Sequence, residues 1–182
     1  MSVGSAPREE QVSRRLRQEE EEGVKHVDIY TDGACRGNPG RGGWGAILVY
    51  GGHERELSGG EPSTTNNRME LTAAIEGLRA LREDCEVDLY SDSKYLVDAV
   101  SLGWAQGWRA RGWRRSGGEA KNPELWEQLL SLLERHRVTM HWVRGHDGHA
   151  YNERCDALAT AAADRFAPAA PEQGAPEQGA PE

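Results

Sequence analysis

The sequence predicts an α/β domain in which a mixed β-sheet is covered by helices on both faces. Short runs of alternating apolar and polar residues, such as the run that places Val27, Ile29 and Thr31 on one side, are typical of strands. Other segments carry apolar residues at helical spacing, as residues 66–82 do. Along the chain these patterns follow the order β-β-β-α-β-α-α-β-α, and this alternation favours the α/β class.

Five strands are predicted from apolar runs bounded by turn-forming residues. A Gly-Gly pair separates the second apolar run from a more polar third one, which indicates a hairpin. The predicted strands are Val24–Cys35, Gly42–Gly51, His53–Ser58, Glu86–Ser91 and Val138–Val143.

Four helices are predicted from apolar stripes and from their end signals. Pro123 suits the first turn of a helix, where its missing N–H would have no partner in any case. The apolar stripe expected on that helix consists of Leu125, Leu129, Leu132 and Leu133. The predicted helices are Asn66–Arg82, one that begins at Ser93, Pro123–His136 and Asn152–Arg165.

Composition divides the 182 residues into a central domain and two appendages. Residues 1–23 are rich in Arg and Glu, and residues 167–182 repeat Ala-Pro-Glu-Gln-Gly, so both are expected to be flexible. The net charge is −8, of which residues 24–166 carry −3. A domain of that length can bury a sizeable core. The charge excludes a protein that coats nucleic acid through overall positive charge.

The cysteines and the hydropathy predict a cytoplasmic protein. Cys35, Cys85 and Cys155 are odd in number and lack C-x-x-C spacing, which favours reduced thiols. No apolar run approaches the roughly 20 residues that span a bilayer. No apolar signal segment follows the N-terminus either. We therefore expect neither a membrane partner nor secretion.

Four carboxylates stand out because of where the predicted elements place them. Asp32 and Asp92 come at the ends of the first and fourth strands, where α/β sheets bind ligands. Each has a simpler alternative, since Asp-Gly is a common turn and Asp-Ser a common helix cap. Glu70 and Asp156 lie at the edges of apolar helix stripes, where a carboxylate needs a partner or a cation.

If these carboxylates converge, their charges raise each other's pKa values, and divalent cations remove that conflict. All-oxygen ligands favour Mg²⁺ or Mn²⁺ over zinc. Carboxylates around two such ions, about 3.5–4 Å apart, are typical of enzymes that hydrolyse phosphodiesters. The convergence is itself an inference, because spacing along the chain does not fix distances across a fold.

Two loops have competing interpretations. His146 lies in Gly-His-Asp-Gly-His, where a lone histidine is usually solvated. A zinc site that combined it with His149 and Cys155 would lack a fourth ligand at a standard spacing. Residues 37–43 are rich in glycine but lack the Gly-Lys-Ser/Thr ending of a P-loop, so a hairpin is favoured over a nucleotide site.

Residues 105–123 form a locally basic segment in an acidic protein. They hold five basic residues and one acidic residue. A local patch of this kind is what phosphate binding requires. The alternative is that the nearby tryptophans pack two helices and the arginines are only solvated. These tryptophans are Trp104, Trp108, Trp113 and Trp126.

Five motifs, in order through residues 24–166, closely resemble those of ribonuclease H type 1. They are Tyr30–Gly40, Thr64–Leu71, Ser91–Ser93, Trp142–His146 and Asn152–Ala159. The resemblance implies a five-stranded mixed sheet, three antiparallel strands and then two parallel ones, with flanking helices. It implies a monomeric enzyme that cleaves the RNA strand of RNA–DNA hybrids and leaves 5′-phosphate and 3′-hydroxyl ends.

The same resemblance assigns roles to individual residues. Asp32, Glu70, Asp92 and Asp156 would hold two Mg²⁺ ions, which Mn²⁺ could replace. His146, in a mobile loop, would assist proton transfer or product release.

The resemblance also implies a substrate surface. Amide and backbone groups would contact the hybrid in its minor groove, namely those of Cys35, Asn38, Asn66 and Asn67. A phosphate of the DNA strand would be held by Thr65 and Asn122, and Trp104 would lie near the groove for that strand. Lys94 departs from the glutamine often found in the family, and would contact a phosphate or an RNA sugar.

The sequence gives less support to two other classes of function. A non-catalytic hybrid-binding protein would need a broken carboxylate set, and all four carboxylates are present. A related DNA nuclease, such as a resolvase or an integrase, is disfavoured by the stretch Thr65–Glu70 and by the basic segment.

Overall fold

The computed structural model describes residues 10–14, 16–17 and 23–166. The tail at 167–182 and most of the N-terminal extension, both expected to be flexible, lie outside the described residues. The elements from residue 23 onward are β1 (Lys25–Arg36), β2 (Gly40–Tyr50), β3 (His53–Thr64), α1 (Asn66–Arg79), β4 (Cys85–Ser91), α2 (Lys94–Ser101), α3 (Trp104–Ala110), β5 (Arg114–Arg115), β6 (Gly118–Glu119), α4 (Pro123–Arg135), β7 (Arg137–Trp142) and α5 (Ala150–Asp164). Among the described helices, none combines the length and the apolar character needed to cross a bilayer.

Five of the strands form one mixed sheet in the order β3-β2-β1-β4-β7. β2 is antiparallel to both β1 and β3, whereas β4 is parallel to both β1 and β7. The sheet therefore has the predicted arrangement of three antiparallel strands followed by two parallel ones.

Helices cover both faces of this sheet, as predicted. Ile29 and Thr31 of β1 point towards α1, where a Cβ atom on Gly77 would lie 2.9 Å from Ile29 Cγ2. α5 packs on the opposite face. A Cβ atom on Gly43 of β2 would overlap the carbonyl oxygen of Ala159 in α5, so only glycine allows that approach.

The sheet splits where the candidate site lies. The parallel pairing of β1 with β4 ends at Thr31 and Ser91, while β1 stays paired with β2 as far as Arg36. The prediction that Asp32 ends the first strand is therefore wrong, since Asp32 lies four residues before the end of β1. Antiparallel pairing to β2 carries β1 past the point where β4 stops, and the split leaves Asp32 beside the end of β4.

The larger differences from the predicted elements lie in the third strand, in the segment after α2 and in the buried face of α4. β3 continues to Thr64, six residues beyond the predicted end at Ser58. α3 follows α2 directly, with Gly103 in the left-handed region between them. A short hairpin of β5 and β6 lies in the basic segment. The long helix α4 buries a wider face than the predicted stripe, because Trp126 and Leu130 are buried beside Leu125 and Leu129, whereas Leu132 and Leu133 are only half-buried.

The tryptophans beside the basic segment divide between packing and exposure. Trp108 and Trp126 are buried and meet edge to face, with ring centroids 5.6 Å apart. Trp113 packs partly against the same core. Trp104, at the start of α3, is 42% exposed. The packing interpretation thus holds for three of the four tryptophans, and Trp104 remains available at the surface.

His136 joins the end of α4 to the sheet. The Cys85 N–H donates to His136 Nδ1 at 3.0 Å, and His136 is buried. Burial, assisted by the charge of Arg135, lowers the pKa of His136 from the ordinary value of 6.5. The neutral ring is the form that accepts this hydrogen bond, so protonation of Nδ1 opposes the folded state.

We expect the free energy of unfolding to fall as the pH drops below about 6.5, because the unfolded chain then protonates His136 more readily than the folded one does. His136→Asn, whose amide oxygen can accept the same N–H, should show a weaker pH dependence. Urea unfolding at pH 5 and pH 7.5 measures both. Equal pH dependence in the two proteins would contradict a neutral buried His136.

Candidate active site

Three carboxylates meet at the split in the sheet. Asp32, Glu70 and Asp92 each place a carboxylate oxygen within 4.8 Å of the others. They lie in a cleft of about 280 Å³ lined by Asp32, Gly33, Asn66, Glu70, Asp92, Ser93, His146 and Asp156. The convergence that spacing alone did not establish is thus present in the fold.

Local structure sets the direction of each carboxylate. Thr65 caps α1, and its hydroxyl accepts a hydrogen bond from the Arg68 N–H at 3.3 Å, which places Glu70 in the first turns of the helix. Ser93, rather than Asp92, caps α2 by accepting from the Leu96 N–H at 3.2 Å. Asp92 is therefore free of the capping role that was its simpler interpretation.

Gly33 brings β1 and α1 together at the cleft. A Cβ atom on Gly33 would lie 2.6 Å from the backbone nitrogen of Glu70. The turn interpretation of Asp32-Gly33 is wrong, because both residues are within β1. Apart from the family motif Tyr30–Gly40, the sequence signal at Gly33 was the Asp-Gly pair, which indicated a turn and not a close approach of two backbones.

The carboxylates strongly perturb one another. Burial, together with the charge of Asp92, raises the pKa of Asp32 to about 8. Burial and the charges of Asp32 and Asp92 also raise the pKa of Glu70 well above its ordinary value. The three groups cannot all be ionised at neutral pH without a compensating positive charge.

The donor set fits a hard divalent cation. The Oε2 atom of Glu70 is buried and has no hydrogen-bond partner within the described part of the chain. Clustered carboxylate oxygens without nitrogen or sulfur donors are the ligands that Mg²⁺ and Mn²⁺ prefer. A cation in this cleft would satisfy Glu70 and would return the carboxylates to their ionised forms.

His146 and Asp156 complete the rim of the cleft. Asp156 is half-buried on α5, and His146 is exposed on the loop after β7 with a positive φ of 59°. That backbone conformation is uncommon for a residue other than glycine. The zinc interpretation does not hold, because Cys155 is buried and its thiol donates to the Tyr30 carbonyl at 3.3 Å.

The residues expected to bind substrate lie mostly outside the cleft. Only Asn66 lines it. Asn38, in the turn between β1 and β2, accepts a hydrogen bond from the Asn66 N–H at 3.1 Å and so joins that turn to α1. The thiol of Cys35 lies 3.4 Å from the Thr64 carbonyl. The other positions are distributed over helix starts: Thr65 and Asn67 at α1, Lys94 at α2, Trp104 at α3 and Asn122 at α4.

Trp142 was not predicted to take part in the site. Its Nε1–H donates to the carbonyl of Asp92 at 3.1 Å, and the neighbouring Val143 N–H donates to the Ser91 carbonyl at 3.0 Å. Both bonds fix the chain around Asp92 from the edge strand β7. A tryptophan at the end of an apolar run carries no sequence signal for this contact.

Comparison with known proteins decides the family. Residues 24–164 match the ribonuclease H family. The chain belongs to the ribonuclease H family. Ribonuclease H of Erythrobacter litoralis is 61% identical over 142 residues, which are 78% of this chain and 98% of the relative. Ribonuclease H of Agrobacterium fabrum is 58% identical over 144 residues, which are 79% and 98% of the two chains.

Solved structures of ribonucleases H share the fold. LC9-RNase H1, a type 1 RNase H with the type 2 active-site motif, superposes with a TM-score of 0.71 at 36% identity, over 80% of this chain and 75% of the other. LC11-RNase H1 in complex with an RNA/DNA hybrid superposes with a TM-score of 0.57 at 27% identity, over 76% and 97% of the two chains. The predicted membership of the bacterial type 1 ribonucleases H is thus confirmed.

Proposed function

We propose that this ribonuclease H family member is an endonuclease that cleaves the RNA strand of RNA–DNA hybrids. The observation that carries the proposal is the buried cluster of Asp32, Glu70 and Asp92, in a cleft that also holds Asp156 and His146. The relatives named ribonuclease H, and the hybrid bound by LC11-RNase H1, support this substrate.

The proposed cofactor is a pair of Mg²⁺ ions, with Mn²⁺ as a substitute. Asp32, Glu70, Asp92 and Asp156 would hold them. When bound, such ions activate water and stabilise charge on the leaving oxygen, and hydrolysis then leaves 5′-phosphate and 3′-hydroxyl ends. The oxygen-only donor set and the raised pKa values of Asp32 and Glu70 support this proposal.

The side chains around the cleft have separate proposed roles. The ring of His146 is exposed at the rim, where it would deliver a proton to the leaving 3′ oxygen or help product leave. Glu70 would also accept a hydrogen bond from a ribose 2′-hydroxyl. That contact would favour an RNA strand over a DNA strand at the scissile position.

The proposed substrate surface runs from the cleft over the starts of the helices. The side-chain carbonyl oxygen of Asn38 accepts a hydrogen bond from the Asn66 N–H. The N–H₂ group of the same side chain would therefore be the part that contacts a sugar or base edge. Cys35, Asn66 and Asn67 would continue this minor-groove contact. The DNA strand would meet a phosphate site of Thr65 and Asn122 and then the exposed ring of Trp104, while Lys94 would contact a phosphate or RNA sugar.

We propose further that the protein acts as a monomer in the cytoplasm. Three free thiols, of which Cys85 and Cys155 are buried, are consistent with a reducing compartment.

The deciding experiment is cleavage of a 5′-labelled RNA annealed to DNA, with Mg²⁺ or with chelator. Single-stranded RNA, an RNA duplex and a DNA duplex are the controls. We expect cleavage of the hybrid alone, and only with metal. Binding of the hybrid without cleavage, across several metals, would favour a non-catalytic hybrid-binding protein. Cleavage of the DNA duplex would favour a DNA nuclease.

A further inference from the structure

A second group of metal-ligating side chains lies on the same face of the sheet as Asp32. Asp28 of β1 and Asp88 of β4 are cross-strand neighbours in the parallel register, and His26 precedes Asp28 by two residues on the same face. We name these three residues the His26 cluster. Asp28 is four residues before Asp32, or about 13 Å along a strand, so the cluster is separate from the candidate active site.

The donor atoms of the His26 cluster are already close together. His26 Nε2 lies 3.0 Å from Asp88 Oδ2 and 3.3 Å from Asp28 Oδ1. One donor atom from each of the three residues falls within 4.8 Å of the others. In a tetrahedral zinc site with bonds of 2.0–2.1 Å, the ligand atoms are about 3.3 Å apart. The observed separations therefore need only small side-chain adjustments to hold an ion.

A positive charge between the two carboxylates of the cluster would stabilise them. Like charges directly opposite each other on neighbouring strands are destabilising. The Asp88 side chain is only 16% exposed and that of His26 only 8%, so water screens them poorly. A divalent cation can compensate the two carboxylates. An imidazole nitrogen beside two carboxylates is a mixed donor set that suits Zn²⁺ better than Mg²⁺.

His141 of β7 holds Asp88 in place. His141 Nε2 lies 2.7 Å from Asp88 Oδ1, whereas His26 approaches the other oxygen, Oδ2. The ring of His141 stacks on Tyr90 at 4.7 Å, and a row of stacked rings continues through Tyr30 to Tyr151. Outer partners of this kind orient a ligating carboxylate and are a regular part of metal sites.

The cluster also has an approach from outside. A cavity of about 170 Å³ is lined by His26, Asp28 and Val49, and by Val12 and Leu16 from the helical part of the N-terminal extension. An ion can reach His26 and Asp28 through this cavity. Val12 and Leu16 thus form part of the cavity wall beside the cluster.

We propose that His26, Asp28 and Asp88 bind a transition-metal ion, Zn²⁺ in particular, with His141 as a positioning residue for Asp88. The bound ion would join β1 to β4 at the end of the parallel pair remote from the active site. Its expected effect is on stability, because an ion that binds only the folded chain shifts the unfolding equilibrium.

The test is a Zn²⁺ titration of the full chain carrying Asp32→Asn and Asp92→Asn, which removes the competing carboxylate cluster. We expect one equivalent of Zn²⁺ to bind, and the Tm to rise by about 5 °C or more at 100 times the Kd. Adding Asp28→Asn should weaken binding by about tenfold or more, and it should reduce the rise in Tm at the same Zn²⁺ concentration to about half or less. No stoichiometric binding, or binding that Asp28→Asn leaves unchanged, would overturn the proposal.

A second measurement uses Co²⁺ as a spectroscopic probe on the unsubstituted chain, with excess Mg²⁺ to occupy the active site. A four-coordinate Co²⁺ site with nitrogen and oxygen ligands should give visible absorption bands. Asp28→Asn should remove these bands, and His149→Gln, a histidine substitution on an exposed loop outside the cluster, should keep them. Bands lost in His149→Gln but kept in Asp28→Asn would assign the ion elsewhere, and circular dichroism checks that each variant is folded.

Discussion

Asp32→Asn is expected to reduce hybrid cleavage by about 10³-fold or more while leaving the protein folded. The amide would keep the shape of the side chain but lose the charge that a metal ligand must supply, and the loss of a metal-assisted step costs several factors of ten in rate. Single-turnover cleavage of a labelled hybrid at saturating Mg²⁺ measures this loss. A variant that cleaves at more than about a tenth of the normal rate would contradict the proposed role of Asp32.

The same substitution should stabilise the metal-free protein at alkaline pH. The pKa of Asp32 is raised from 3.8 to about 8 in the folded state, first by burial and then by Asp92. The folded chain therefore holds a proton that the unfolded chain releases, and the free energy of unfolding falls as the pH rises from about 4 to 8. Asp32→Asn removes this penalty, which is of the order of a few kcal/mol.

Urea unfolding of both proteins in chelator, at pH 6 and at pH 9, measures this gain in stability separately from the loss of activity. The advantage of Asp32→Asn should be larger at pH 9 and should shrink when Mg²⁺ is added to the unsubstituted protein. Asp84→Asn is the matched control, because Asp84 is 78% exposed and pairs only with Arg135 among the ion pairs of the described residues. It should change neither activity nor stability by a measurable amount, since exposed ion pairs contribute little.

The sequence identified the candidate carboxylates, but it did not show that they lie close together in the fold. Asp32 and Asp92 were recognisable from the alternating apolar runs that precede them. Their approach depends on the pairing of β1 with β4, whose last partners, Thr31 and Ser91, are 60 residues apart in the chain. Local periodicity carries no information on such a pairing. The resemblance to a known family supplied it.

The errors in the predicted elements also have local causes. Gly59 and Gly60 follow the predicted end of the third strand at Ser58, and glycines usually weaken a strand. In the fold these glycines give room to neighbouring groups, since a Cβ atom on Gly59 would lie 2.8 Å from the Trp44 ring. The regularly spaced leucines predicted the apolar stripe of α4, but they did not predict that Trp126 is buried. Its partner Trp108 lies on α3, a helix that the sequence pattern did not predict.

Gly33→Ala should damage both stability and activity, although it adds a single methyl group. The new Cβ atom would lie 2.6 Å from the Glu70 nitrogen and 2.7 Å from the Met69 carbonyl carbon. Both are backbone atoms of α1, so no side-chain rotation can relieve the contact and the helix must move. We expect a loss of about 3 kcal/mol in the free energy of unfolding. We also expect about 100-fold slower hybrid cleavage, because Glu70 moves away from Asp32.

Gly107→Ala makes the same chemical change in a place that tolerates it. Gly107 is inside α3, and its nearest neighbour would be the flexible end of the Arg111 side chain at 3.2 Å. Alanine favours a helix over glycine by about 0.5–1 kcal/mol, so this variant should gain stability and keep full activity. If the free energy of unfolding falls in Gly33→Ala and rises in Gly107→Ala, the loss in Gly33→Ala results from the contact between β1 and α1. If Gly33→Ala instead unfolds and cleaves as the unsubstituted protein does, the position of Glu70 does not depend on that contact.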